Sequence, residues 1–180
     1  MDKTAIPIAI SLQTIFAGFP FPFSPEQIPA VPITGIVMDN RKLEPGNLFV
    51  AMPGGSVDGH DFITDAIARG ARAVVCEKDI TGLPVPCIRV ENSRRSLAWL
   101  AAAFYGNPGR NLTVIGVTGT DGKTTTCNLL YQILLSAGLK TGLISTVNAI
   151  IGEEVLDTGF HVTTPDAPDV QRYLARMIDG

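Results

Sequence analysis

Apolar positions along this chain recur at two spacings, and the spacings change in a regular order. Short apolar runs at 33–38 and 47–52 predict two strands, joined by the polar turn 39–46. A glycine-rich loop, 53–60, leads into a helix over 61–69, where Phe62, Ile63, Ala66 and Ile67 share one face and Gly70 suits its end. Runs at 73–76 and 85–90 predict two more strands, with Pro86 placing the second at an edge or giving it an irregular start. A helix over 93–104 follows, with Leu97, Leu100, Ala101 and Phe104 as its apolar stripe and Trp99 at the margin. Before all of these, a rather apolar stretch is interrupted by Pro7 and Gln13 and predicts a short helix around 9–17 packed on the same domain. The alternative, a secretory signal, has no clear small-residue cleavage site. Five prolines in 20–32 mark an irregular connection, because proline fixes φ and donates no amide.

Residues 105–111 read as a linker, and a second pattern then begins. The nearly continuous apolar run 112–117 predicts a strand of a parallel sheet covered on both faces. A glycine-rich turn precedes a helix over 123–137, with Leu129, Leu130, Ile133, Leu134 and Ala137 as the expected buried face and Gly138 at its end. A strand over 140–145 would complete a β-α-β unit, 147–151 and the stretch after Gly152 suit a hairpin, and 166–177 predicts a helix with Val170, Leu174 and Met177 in one row. The expected architecture is therefore α/β: a small α/β domain over 1–108, then the start of a parallel-sheet domain over 109–180.

Composition narrows the function. Of 180 residues, 46% are hydrophobic and 17% charged, which excludes wholesale disorder. A net charge of -3 without a basic run gives no face for non-specific nucleic-acid binding. No run of ~18 apolar residues exists, so no membrane-spanning helix is expected. The three cysteines, Cys76, Cys87 and Cys127, form no C-x-x-C pair and suit small thiols in a reducing compartment, the cytoplasm.

The stretch 116–125, Gly-Val-Thr-Gly-Thr-Asp-Gly-Lys-Thr-Thr, lies between the expected apolar strand and the amphipathic helix. Glycines let a backbone turn tightly and aim successive amides inward, where they and the helix N-terminus bind phosphate oxygens. Lys123 can meet the outer phosphates, and the Thr124 hydroxyl can ligate Mg²⁺. The strict G-x-x-x-x-G-K-[ST] spacing fails by one residue, since Val117 stands where glycine would be needed. A glycine-rich turn that merely ends in Lys-Thr is the alternative.

The variant loop resembles the ATP loop of the Mur ligase superfamily. Asp39-Asn40-Arg41 with the following Pro45-Gly46 is similar to the first-domain Asp-Ser-Arg segment of the muropeptide ligases, and 58–71 resembles the next segment of that domain. Thr163-Thr164-Pro165 is similar to the Thr-Thr-Pro segment of the MurE type. The resemblance implies an ATP-dependent ligase of peptidoglycan synthesis. ATP would phosphorylate the carboxylate of UDP-MurNAc-L-Ala-D-Glu, and the acyl phosphate would be attacked by the amine of meso-diaminopimelate or L-lysine. It implies that Gly119, Thr120, Asp121, Gly122, Lys123, Thr124 and Thr125 bind ATP, with Lys123 catalytic and Thr124 on Mg²⁺. It also implies that Asn40, Arg41, Thr163 and Thr164 contact the UDP-muropeptide.

Each substrate contact has a plainer reading. Asp39-Asn40 is a common turn pair, an exposed arginine is usually solvated, and Thr163-Thr164 can cap a helix that starts at proline. Two positions depart from the family pattern: Asn40 stands for serine and Asp121 for asparagine. The family's acidic Mg²⁺ ligand, its carbamylated lysine and its amino-acid domain would lie downstream of Gly180, so the chain is expected to be an N-terminal portion that cannot complete ligation alone. Two other classes compete: a non-catalytic UDP-sugar or nucleotide-binding module, and a P-loop kinase or GTPase. The second would need an acid on an apolar strand or an Asn-Lys-x-Asp motif, and neither occurs. Folate-type and other Mur ligases share the ATP loop.

Overall fold

A computed structural model describes residues 9–20, 28–55, 57–157 and 165–179. The described residues divide into two compact units, one ending at Gly106 and the other beginning at Asn107.

The first unit is built on a four-stranded parallel sheet, ordered β3 (Ile36–Val37), β4 (Leu48–Val50), β5 (Ala73–Cys76) and β6 (Cys87–Arg89). Every residue of β4 and β5 is buried, as the unbroken apolar runs require of central strands covered on both faces. Phe49, Val74 and Cys76 point to one side, where they pack with Leu43 and Ala51, with Ala71, and with Ile63 and Ala66 of helix α2 (Ile63–Ala68). Helix α3 (Ser93–Phe104) buries Leu97, Leu100, Ala101 and Phe104 and packs on β3 and on helix α1 (Leu12–Phe16). The expected stripe is thus the observed one, and Trp99 stays 39% exposed at its margin.

Two expected elements of this unit are shorter than their apolar runs. The strand expected over 33–38 splits: β2 (Pro32–Ile33) pairs antiparallel with β1 (Ile10–Ser11), and only Ile36–Val37 joins the parallel sheet. The chain breaks at Thr34 and Gly35, whose amide N–H and carbonyl are taken by the carbonyl of Gly46 and the N–H of Leu48. The helix expected around 9–17 starts only at Leu12, because the residues before it form β1.

The second unit differs more from expectation. Residues 112–117 adopt no regular structure, and Val114 and Ile115 are 59% and 58% exposed. A strand needs neighbours for its N–H and C=O groups, and among the described residues none pairs with this run. The expected strand 140–145 is reduced to β7 (Leu143–Ile144), which pairs antiparallel with β8 (Asn148–Ile151), itself paired with β9 (Glu154–Asp157). The β-α-β unit is therefore not closed among the described residues; the hairpin is. Helix α4 (Lys123–Ser136) packs on β7, but its expected buried face is largely open: Leu129 is 59% and Ile133 62% exposed, and Tyr131 is the residue it buries. Helix α5 (Ala167–Asp179) packs through Tyr173 and Met177 onto Ala149 and Ile151. Met177 lies so close to Gly142 that a Cβ there would fall 2.5 Å from its sulfur. No helix among the described residues is long and apolar enough to cross a membrane.

Candidate functional site: a lysine-bearing helix N-terminus and a polar turn

Helix α4 starts directly after Gly122, which has φ 77° and ψ -2°, a left-handed conformation open to glycine at little cost. Its first helical hydrogen bond runs from the Thr126 N–H to the Gly122 carbonyl at 2.9 Å. The N–H groups of Lys123, Thr124 and Thr125 precede that rung and have no acceptor one turn back. Among the described residues no side chain caps this helix end. Fourteen residues of aligned peptide dipoles therefore end on uncapped donors. The Lys123 ammonium folds back over the turn and donates to the carbonyls of Gly119 and Thr120 at 2.7 and 3.1 Å. Its charge thus adds to that of the helix end.

This donor set fits a phosphate anion: amides and an ammonium, with the Asp121 side chain exposed beside them. It fits Mg²⁺ only as a companion of the phosphates. Among the described residues no group of three His, Cys, Asp or Glu side chains could cage a metal. The chain's candidate ligand is the hydroxyl of half-buried Thr124, and Mg²⁺ tolerates one protein ligand beside phosphates and water.

In the first unit, Asp39 accepts from the Arg41 N–H at 2.9 Å and so starts the 3-10 turn Asn40–Lys42 that follows β3. The Arg41 guanidinium closes on the same carboxylate, its Nε at 2.9 Å and its Nη2 at 2.8 Å. This hydrogen-bonded pair holds the Asp39 carboxyl below the usual carboxylate range. Asn40 turns inward: its Nδ2 donates to Asp65 of α2 at 2.7 Å. Asn40 and Arg41 belong to one unit and the 119–125 loop to the other. Thr163 and Thr164 lie outside the described residues.

A polar network at the end of β5 was not legible beforehand. His60 is buried; its Nδ1 donates to Asp58 at 2.5 Å, and its Nε2 accepts from the Glu77 N–H at 3.0 Å, which fixes the tautomer. Lys78 donates to Asp58 at 2.7 Å. Glu77 accepts from both the N–H and the hydroxyl of Ser93, each at 2.7 Å, at the start of α3. Lys78, followed by His60, holds Asp58 well below the carboxylate range, and the Ser93 hydrogen bonds lower Glu77. Asp58-Gly-His60 carries a local signal, since an aspartate commonly accepts from the amide two residues on. The Glu77–Ser93 pair spans sixteen residues and has no such signal.

The Cys76 and Cys87 sulfurs lie 3.1 Å apart on adjacent strands, and burial, then the neighbouring thiol, pushes the Cys76 thiol up. Both causes favour the protonated thiol over the nucleophilic thiolate.

Comparison with known proteins accords with this layout. The model of the Mur ligase family, catalytic domain, matches residues 32–105, and that of the Mur ligase middle domain matches 117–180. The chain belongs to the Mur ligase family. It is 49% identical over 150 residues to the UDP-N-acetylmuramyl-tripeptide synthetase of Roseiflexus sp., an alignment covering 82% of this chain and 30% of that protein. It is 46% identical over 159 residues to the UDP-N-acetylmuramoyl-L-alanyl-D-glutamate–2,6-diaminopimelate ligase of Bacillus cereus, covering 88% and 31%. It thus spans about a third of the length of the curated relatives it matches. A solved structure of a UDP-N-acetylmuramoyl-L-alanyl-D-glutamate–2,6-diaminopimelate ligase aligns with a TM-score of 0.67 at 24% identity, covering 95% of this chain and 34% of that one. MurF from Acinetobacter baumannii aligns with a TM-score of 0.61 at 24% identity, over 93% and 33%. These two bear on fold alone.

Proposed function

We propose that this chain carries the UDP-muropeptide-binding and ATP-binding portions of a MurE-type, ATP-dependent carboxylate–amine ligase of cytoplasmic peptidoglycan synthesis. The observation that carries the reading is the uncapped N-terminus of α4 with the Lys123 ammonium folded over its glycine turn, within the stretch that matches the Mur ligase middle domain. The relatives named above are ligases or synthetases of UDP-N-acetylmuramyl peptides, which supports the substrate class.

In this reading, bound ATP supplies the phosphoryl group that turns a carboxylate, a poor acyl donor, into a reactive acyl phosphate. The chain's own work is electrostatic. The N–H groups of Lys123, Thr124 and Thr125, with the turn from Gly119 through Thr120, Asp121 and Gly122, cradle the phosphates. Lys123 leaves its two carbonyl partners for the outer phosphates, and the Thr124 hydroxyl serves Mg²⁺. Asn40 and Arg41, with Thr163 and Thr164, hold the UDP-muropeptide. Arg41 must release Asp39 to reach an anion, whereas Asn40 needs no rearrangement. No residue here is assigned to the incoming amine, meso-diaminopimelate or L-lysine.

Calorimetric titration of the 180-residue chain with Mg²⁺-ATP tests this. Wild type should bind, and Lys123→Ala should weaken binding about 10- to 100-fold, the worth of one charge-assisted contact. Absence of binding to wild type, or equal binding by Lys123→Ala, overturns the reading. A non-catalytic UDP-sugar module would instead bind UDP-MurNAc-L-Ala-D-Glu and ignore ATP.

A further inference from the structure

The polar turn after β3 holds a hydrogen-bonded arrangement in the unit that does not contain the ATP loop. Asn40 opens that turn, and Asp65 lies 25 residues on, in α2. The Asn40 amide donates through Nδ2 to Asp65 Oδ2 at 2.7 Å, and Arg69 Nε donates to the same oxygen at 2.7 Å. An asparagine amide has two donors on one side and a carbonyl oxygen on the other. Turning it over would break a charge-assisted hydrogen bond and set the carbonyl oxygen against a carboxylate. The Asn40 hydrogen bond, then Arg69, holds Asp65 below the ordinary carboxylate range, so it stays ionised at neutral pH and the restraint persists. A serine hydroxyl at this position could rotate and serve as donor or acceptor; the anchored amide offers its Oδ1, an acceptor. The turn follows the carboxyl end of a parallel strand, where open α/β sheets bind ligands.

We infer that Asp65, braced by Arg69, is a positioning residue that fixes the Asn40 carbonyl as an acceptor for a hydrogen-bond donor on the nucleotide moiety of the UDP-sugar substrate. That donor is the imide N–H of the base or a ribose hydroxyl. The inference rests on the proposal that this unit binds a UDP-sugar, and it concerns Asn40, which is already in place, whereas Arg41 must first release Asp39.

A double-mutant cycle on the 180-residue chain tests it, titrating UDP-MurNAc-L-Ala-D-Glu into wild type, Asp65→Ala, Asn40→Ser and the double variant. Asp65→Ala should weaken binding about tenfold where Asn40 is present, the worth of one oriented hydrogen bond, and by less than about twofold in the Asn40→Ser background. The denaturation midpoint, read by the single tryptophan Trp99, should fall more in the wild-type than in the Asn40→Ser background, because the two side chains are in contact; a purely structural Asp65 would show that too, but not the coupling in affinity. Asp65→Glu should recover part of the loss. Equal losses of affinity in the two backgrounds, or none in either, overturn the inference while leaving the UDP-sugar reading intact. Failure of wild type to bind the ligand overturns both. Titration of UDP against its N3-methyl and 2′,3′-dideoxy analogues identifies the donor: affinity should fall for one of them, and an affinity indifferent to both overturns the inference.

Discussion

Two helices of similar length and similar apolar pattern meet different fates in this chain. In α3, twelve residues long, every member of the stripe Leu97, Leu100, Ala101 and Phe104 is buried. In α4, fourteen residues long, Leu129 and Ile133 stand open. The pattern of each sequence is local, but the cover it calls for is not. The first unit supplies α3 with a parallel sheet and α1; the described part of the second supplies α4 with little besides β7. A stripe at helical spacing therefore identifies a helix and the side that wants cover, without saying what provides it.

The largest expected effect comes from testing that contrast with one truncation in each unit. Phe49 is 1% exposed in the middle of the sheet, so Phe49→Ala should cost about 3–5 kcal/mol, part transfer and part cavity. Ile133→Ala removes a side chain that touches little and gives alanine's better helix propensity in return, so it should stay within about 0.5 kcal/mol. Urea denaturation followed by Trp99 fluorescence reads the first unit, and hydrogen exchange of the α4 amides reads the second. A cost at Ile133 comparable to that at Phe49 would mean that the α4 face is covered in solution, and would break the comparison.

Acid should sharpen it by a smaller amount. Asp39, Asp58, Asp65 and Glu77 of the first unit are all held below their usual carboxylate range by hydrogen bonds of the folded state. The unfolded chain binds protons to such groups near about pH 4. Their stabilisation is complete above that value and lost as pH falls through the lower folded-state values. Lys78, raised by Asp58, works the other way: its contribution is complete below about pH 10.4 and is lost as pH rises beyond it. Between pH 7 and pH 3 the Trp99-detected urea midpoint should fall, and it should fall less in an Asp58→Asn/Glu77→Gln variant. An identical pH dependence in that variant would show that these carboxylates do not carry the acid response.

What could be read beforehand follows the same line between local and distant causes. The boundaries of α3 and β5, the hairpin β8–β9 and the helix after the glycine turn depend on periodicity, capping residues and turn residues, all close in sequence, and all appear. The strand expected at 112–117 does not, because pairing requires a neighbour that the run itself cannot specify. At the candidate site, the glycine turn and Lys123 were legible because one continuous stretch supplies backbone, charge and helix end. The hydrogen bond between Asn40 and Asp65 was not, because it depends on folding α2 over a turn 25 residues earlier. Tyr173 was overlooked beside Val170, Leu174 and Met177 for a related reason: the strands beneath α5 decide which of its sides is buried.

The smallest expected effect concerns Asp121, where the family pattern has asparagine. Its side chain is exposed just before Gly122 and α4. A carboxylate there is favoured by the positive end of the helix but repels a triphosphate approaching the same donors. The two effects oppose each other and are each worth about 0.3–1 kcal/mol at an exposed site. Asp121→Asn should therefore leave Mg²⁺-ATP affinity equal or improve it by up to about fivefold, while the Trp99-detected midpoint, which reports the other unit, stays where it was. Titration calorimetry with the nucleotide, alongside the urea curve, measures both. A loss of affinity beyond about tenfold would put the Asp121 carboxylate in contact with the cation that accompanies the phosphates, making it a ligand where the present geometry leaves it a bystander.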